Sequence, residues 1–152
     1  MKGSVLMRCV DVNVLLHAAD ASSPDCDQAR DLLKELMVAP AGLGLFSTVL
    51  AGFIRISTDR RIYSNPKSPD EAMQFVNALL GSPTVSVLNP GARHWEIFTS
   101  LSAAHSPRRA DVTDVWLAAA VMEIGAQWVS YDRGFARFPQ LRWVNPHDID
   151  GA

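Results

Sequence analysis

The sequence predicts an α/β fold built on a mainly parallel sheet. Three observations predict it. Short apolar runs alternate with stretches of helical spacing along almost the whole chain. The first run, Val5–Val10, is apolar except at Arg8, the pattern of a strand covered on both faces. Aspartates stand where apolar runs stop or start: Asp11 after Val5–Val10, Asp114 just before Val115–Met122, and Asp132 after Trp128–Tyr131.

The chain has 152 residues, of which 48% are hydrophobic, enough for one real core and too few for two comfortable domains. Residues 7–148 are expected to form that domain, with 1–6 as an N-terminal tail, because Met7 directly precedes the first strong strand residues. A net charge of −2 excludes a global basic field and leaves a local patch as the way to meet a polyanion. Cys9 and Cys26 have neither disulfide-framework nor zinc-ligand spacing. They fit a reducing, cytoplasmic compartment. Arg8 and Asp11 interrupt the apolar start, which argues against a signal peptide or membrane span.

The elements follow in order. After the Val5–Val10 strand, Val14–Ala18 starts a short helical turn, and Ala21–Asp25 is a loop. Ser23 followed by Pro24 suits a helix entry with proline at the first helical position, and Ala29, Leu32, Leu33, Leu36 and Met37 give the apolar stripe. Residues Pro40 to Gly44 break it. Leu43–Phe46 is a short strand, then Ser47 or Thr48 caps a helix carrying Val49, Leu50, Phe53, Ile54 and Ile56. Thr58 to Pro69 is a polar, basic loop. Ser68-Pro69-Asp70-Glu71 opens the next helix, which ends at Gly81. Thr84–Leu88 is a strand, and Gly91 to Ala104 a helix with Trp95, Phe98 and Leu101 on one side. Val115–Gly125 is a helix so apolar that protein must surround it. Ala126–Ser130 and Leu141–Val144 are the last strands.

In parallel α/β sheets, sites form beyond the carboxyl ends of strands. Asp11 and Asp132 each follow a strand, so both belong on one edge of the sheet. Buried or clustered carboxylates are costly unless paired or bound to a cation. Phosphodiester hydrolysis needs an activated water, neutralised phosphate charge and help for the leaving oxygen, all of which one or two Mg²⁺ ions supply. Mg²⁺ takes oxygen ligands and needs only one or two direct carboxylates.

The segment Asp11-Val12-Asn13-Val14-Leu15-Leu16-His17-Ala18 resembles the opening motif of PIN-domain proteins, in particular the VapC-type toxins of toxin–antitoxin modules. Asp114-Val115-Trp116-Leu117-Ala118-Ala119 resembles their third motif, and Val129-Ser130-Tyr131-Asp132-Arg133-Gly134-Phe135 their last. Gly52-Phe53-Ile54-Arg55-Ile56-Ser57-Thr58 is similar to a helix of this subgroup, and the match runs from about Arg8 to Pro146. The resemblance implies a PIN-like three-layer α/β/α sandwich. It also implies a Mg²⁺- or Mn²⁺-dependent endoribonuclease acting on structured RNA such as tRNA or rRNA, silenced by a cognate VapB-type antitoxin, and a homodimer.

Asp11 and Asp114 are the expected metal ligands, and Asp132 would orient a water or hold a second ion. Asn13 and Ser130 would support them. One departure stands out. The family usually has a Glu on the helix before the basic loop, at a position aligned near Leu50, yet Ser47–Thr58 contains no acid. Either Asp111 compensates, water completes the shell, or activity is weak or absent. The last alternative is a PIN fold kept as an RNA- or protein-binding module.

Plainer roles compete at each position. Asp111 suits the N-cap of the buried helix, Asp114 its first turn, and Asp132-Arg133-Gly134 an ordinary turn. Arg60 and Arg61, with Arg55 and Lys67, suit RNA phosphates or simply a solvated loop. Tyr63 could stack on a base or pack its loop, and Arg108 and Arg109 could border the phosphate path. The histidines form no metal pattern, and the four tryptophans are assigned to the core or a dimer face. Phe53, Phe75 and Val76 are candidates for an antitoxin groove. A phosphotransferase using Asp11 as nucleophile would want a second acid where Asn13 stands.

Overall fold

The computed structural model describes residues 6–149. Five strands, β1 (Arg8–Val10), β2 (Leu43–Phe46), β3 (Val85–Leu88), β4 (Gln127–Val129) and β5 (Trp143–Val144), make one sheet in the order β3-β2-β1-β4-β5. Every pairing is parallel. β1 is central, and its adjacent residues Cys9 and Val10, which point to opposite faces, are both fully buried. Helices therefore cover both sides of the sheet, as the unbroken apolar strands require.

Gly44 in β2 is a matter of space: a Cβ there would meet Leu88 Cδ1 at 2.5 Å and the sulfurs of Cys9 and Met7 at 3.0 Å. The Cys9 thiol, pushed up to about 12 by burial, is a core group rather than a reactive one.

The helices are α1 (Val12–Ala18), α2 (Cys26–Val38), α3 (Ser47–Ser57), α4 (Pro69–Leu80), α5 (His94–His105), α6 (Ala110–Ile124) and α7 (Pro146–Ile149). A 3-10 helix, Arg133–Arg137, joins β4 to β5. The Ser68 capping box of α4 forms as expected, with Ser68 Oγ accepting from Glu71 N and Glu71 accepting from Ser68 N. Gly125, at φ 66°, ends α6 in the left-handed conformation.

Several expectations shift. The first strand is described from Arg8, and the expected tail, apart from Leu6, lies outside the described residues. α2 begins at Cys26, because Ser23 Oγ accepts from Asp25 N and its carbonyl from Cys26 N, so Pro24 sits in a turn rather than inside the helix. α6 begins at Ala110, five residues before Val115, and the 3-10 helix and α7 had no apolar period to announce them. On α5 the inward stripe is His94, Ile97, Phe98 and Leu101, at helical spacing. Trp95 is rotated out to 67% exposure and does not share a side with Leu101. Trp128 is buried in the core, and Trp116 and Trp143 pack against it. Phe53 and Val76 are buried, with Phe53 stacked on Phe75 at 4.9 Å. This trio packs α3 on α4, and Phe53 also lines a cavity beside the end of α1.

Candidate active site

The chain runs outward from β1 through β2 to β3, then returns to place β4 on the other side of β1. The carboxyl ends of β1 and β4 therefore meet at the topological switch point, where parallel sheets open a crevice. Asp11 follows β1 directly, and Ser130, Tyr131 and Asp132 follow β4.

Asp11 is 7% exposed. It caps α1, with Oδ1 accepting from Val12 N at 2.7 Å. Its Oδ2 accepts from Ser130 Oγ at 2.7 Å and from Asn13 Nδ2 at 3.5 Å. Ser130 Oγ in turn accepts from Asn13 Nδ2 and from Asp132 N, each at 3.1 Å. Asn13 Oδ1 accepts from Tyr131 N at 3.2 Å. Asn13 and Ser130 thus sew the β1 and β4 loops together around one carboxylate. Burial pushes the Asp11 carboxyl up to about 6. The bonds from Ser130 and Val12 oppose that rise, and the charges of Asp114 and Asp132 add to it.

Asp114 lies in the second turn of α6, half-buried. Burial raises its carboxyl above the usual range, Arg137 holds it down, and Asp132 and Asp111 push it up. Arg137 Nη2 stands 3.2 Å from Asp114 Oδ2 and 3.7 Å from Asp111 Oδ1. The guanidinium also donates to the Gly134 carbonyl and lies 4.4 Å from the centre of the Phe138 ring. Asp132 caps the 3-10 helix, its Oδ1 accepting from Gly134 N at 2.8 Å.

The three aspartates accordingly share one end of the sheet and feel one another's charge. They do not close into a cage: among the described residues no three acidic, histidine or cysteine side chains are grouped so as to hold an ion by themselves. The tight convergence expected from the sequence is met only in part, because Arg137 holds Asp114 and the Gly134 amide holds Asp132. The plainer roles also apply, since Asp11 and Asp132 both cap. Asp111 does not cap α6; Arg109 occupies that position, at φ 55° in a turn closed by Asp111 N to Arg108 O at 3.1 Å.

A cavity of about 320 Å³ opens over Asp11 between α3 and α6. Thr48, Gly52 and Arg55 line it from α3, and Thr113 and Trp116 from α6. Leu50 is in the core, so the α3 stripe that faces Asp11 is 48, 52 and 55, not 50. That stripe has no acid. Arg60 and Arg61 are exposed on the loop after α3, and Arg61 pairs with Asp59 at 3.3 Å. His17 bonds Ser23 at 2.7 Å and meets the Tyr131 ring edge-on.

Sequence reasoning missed Arg137, Thr48 and Thr113. Nothing in the linear order links Arg137 to Asp114, because the 3-10 turn that joins them carries no periodicity. For the α3 stripe a signal existed: helical spacing from Thr48 gives Gly52 and Arg55.

The donor chemistry fits a hard divalent cation. A buried carboxylate held partly protonated near pH 6, beside a second carboxylate above its usual range, is an arrangement that a bound cation would relieve.

A family model of the PIN domain matches residues 8–141. The chain belongs to the PIN-domain family. It is 46% identical over 142 residues to the VapC ribonuclease Mb2897 of Mycobacterium bovis, covering 93% of this chain and 97% of that one. It is 33% identical over 136 residues to the ribonuclease VapC33 of Mycobacterium tuberculosis, covering 90% and 95%. Among solved structures it is similar in fold to the VapBC2 complex of Rickettsia felis bound to a promoter DNA fragment. That match has a TM-score of 0.69 at 16% identity, with 92% of this chain and 98% of that one covered. It is also similar to Mycobacterium tuberculosis VapC20, a sarcin-ricin loop cleaving toxin, with a TM-score of 0.64 at 18% identity, covering 89% and 97%. The PIN-like α/β fold expected from the motifs is the fold found.

Proposed function

We propose that this PIN-domain protein is a divalent-metal-dependent endoribonuclease of the VapC type, with residues 7–148 as its functional unit. Asp11 carries the reading. It is buried at the switch point, fixed by Ser130 and Asn13, and raised in pKa by burial and by the charges of Asp114 and Asp132. Few structural roles call for so costly a carboxylate. The 46% identity to a named VapC ribonuclease over nearly the full length supports the same reading.

Asp11 and Asp114 would hold Mg²⁺ or Mn²⁺. When bound, the ion neutralises phosphate charge and lowers the pKa of a water. Ser130 and Asn13 keep the Asp11 carboxylate from rotating. Asp132, exposed at the rim, accepts a proton from or orients an incoming water. Arg137 supplies a cation beside Asp114 that can exchange its carboxylate for a phosphate oxygen of RNA. Arg60 and Arg61 meet phosphates further along the strand.

In this reading the partners are structured RNA, a second copy of the chain, and a VapB-type antitoxin. Solved structures of similar fold include VapBC2 of Rickettsia felis and a toxin–antitoxin complex from Klebsiella pneumoniae, which supports the last. Two free, buried cysteines and the absence of a membrane-length apolar helix among the described residues support a cytoplasmic setting.

A second reading has its own observation: the α3 stripe facing Asp11 offers Thr48, Gly52 and Arg55 and no acid, as a binding module that had lost catalysis would. Incubation of the protein with structured RNA in Mg²⁺, Mn²⁺ or EDTA separates the two. Cleavage that needs the ion and disappears in Asp11→Ala and Asp114→Ala supports the nuclease. RNA binding with no cleavage in any metal supports the module.

A further inference from the structure

We propose that the cavity between the end of α1 and the loop after α3 is a subsite for one nucleoside of the RNA, next to the phosphate that is cut. This rests on the nuclease reading above. The cavity holds about 440 Å³, within the range of about 300–1,000 Å³ that small-molecule sites occupy. Phe53 and Leu16 give it apolar walls, while Ser57, Tyr63, Lys67 and Asp20 add polar groups.

Ser57 points to a ligand. It is 4% exposed, it lines the cavity, and its Oγ has no hydrogen-bond partner among the described residues. Buried hydroxyls are almost always satisfied, so an unpartnered one just behind a cavity wall becomes a partner for a ligand's polar edge once its side chain turns toward the cavity. The Ser57 carbonyl already accepts from Lys67 N at 2.9 Å, which holds the basic loop over the cavity mouth.

Tyr63 links this cavity to the catalytic end. Its side chain also lines a second cavity of about 350 Å³ that continues past Leu16 and His17 to Asn13. Asn13 bonds the Asp11 carboxylate. A strand lying in this trough with its phosphate at Asp11 would bring a neighbouring base to the Tyr63 ring, a surface on which any base can stack. Lys67 supplies a cation for the backbone. Asp20 lines both cavities; Ser22 fills one of its oxygens, at 3.0 Å from the amide and 2.6 Å from the hydroxyl. Its other oxygen can accept from an exocyclic amine. The subsite therefore prefers guanine, adenine or cytosine to uracil. An apolar peptide side chain would leave the Ser57 hydroxyl open and sit against Asp20 and Lys67, which favours the nucleoside as occupant.

The test titrates AMP, GMP, CMP and UMP into the full chain by NMR. It uses wild type, Ser57→Ala and Tyr63→Leu, with a thermal melt of each to check folding. In parallel, cleavage of a randomised RNA pool is sequenced for base preference beside the cut. Ser57→Ala removes only an unpartnered oxygen, so its fold is kept. The expected result is weakest binding by UMP, about fivefold weaker binding of the others to Ser57→Ala, and about tenfold to Tyr63→Leu. Both variants should also lose base preference at one position. Nucleotides that fail to bind wild type, binding indifferent to both variants, or a cavity that takes only an apolar peptide overturns the subsite. RNA cut with unchanged preference in both variants overturns it while the nuclease reading stands. Nucleotide binding weakened in both variants, with no cleavage by wild type, sustains a nucleoside site and overturns its place beside a cut phosphate, along with the nuclease reading.

Discussion

At the seam of β1 and β4, Asp11 is almost wholly buried and accepts from Val12 N, Ser130 Oγ and Asn13 Nδ2. Across the crevice, on α6 and the 3-10 helix, Asp114 is half-exposed and leans on one guanidinium, and Asp132 stands at the rim. The two halves bear the same chemical groups with different consequences. The seam is fixed by hydrogen bonds between the loops that follow the two strands. The α6 side is held by an ion pair that a cation or a phosphate can replace. A site built this way would keep one carboxylate in place and leave the other available for exchange.

The largest expected effect comes from the buried half. Asp11→Asn keeps the shape and removes the charge, so RNA cleavage should fall by about a thousandfold or more. Stability should move the other way. The folded carboxyl titrates at about 6 against 3.8 for the free group, so between those values the native state binds more protons than the unfolded one. Wild-type stability in EDTA therefore falls as pH rises from about 4 to about 6, and Asp11→Asn lacks that loss. At pH 7.5 without metal the variant should be more stable by at most about 3 kcal/mol, measured by urea unfolding. A variant that is less stable there would mean the carboxylate is held more favourably than its burial implies.

Ser130→Ala comes next. It removes the short bond to Asp11 Oδ2 and the acceptor for Asp132 N. Activity should drop about 10- to 100-fold and unfolding free energy by about 1–3 kcal/mol. The exchangeable half should respond differently. Arg137→Gln frees Asp114 from its cation at little cost in stability, because the pair is partly exposed. Calorimetry with Mn²⁺ should show affinity raised by about 3- to 10-fold. Unchanged affinity would place Asp114 outside the ion's reach.

The smallest effect tests the missing acid. A Cβ at Gly52 would meet only Val12 Cγ2, at 3.8 Å, so a side chain fits there. Gly52→Ala should stabilise α3 by up to about 1 kcal/mol. Gly52→Glu should add to that a few-fold gain in Mn²⁺ affinity and cleavage, read against Gly52→Ala.

The contrast between the halves also explains what was legible in the sequence. The fold was, because buried parallel strands read as unbroken apolar runs, amphipathic helices carry a 3.6-residue period, and α6 is apolar nearly all round; β1, α2, β2, α3, α4 and α6 each show one of these. Asp11, Asn13 and Ser130 were legible because strand ends place them. The α6 side was not. Arg137 reaches Asp114 through a five-residue 3-10 helix with no apolar pattern. The start of α6 at Ala110, five residues ahead of Val115, hid the true position of Asp111. The subsite residues Ser57 and Tyr63 meet only when the loop closes over α1. The stripe of Phe53, Phe75 and Val76 was legible, but a stripe does not say how much of it a neighbouring helix covers: α3 and α4 cover each other, and Phe53 still lines a cavity.

Anomalous diffraction from crystals soaked in Mn²⁺ tests the central claim most directly. The account predicts one strong peak within coordination distance of both Asp11 and Asp114, with the Arg137 guanidinium displaced from Asp114. Saturating Mn²⁺ that gives no peak at Asp11, or a peak only at exposed carboxylates away from the end of β1, would contradict it.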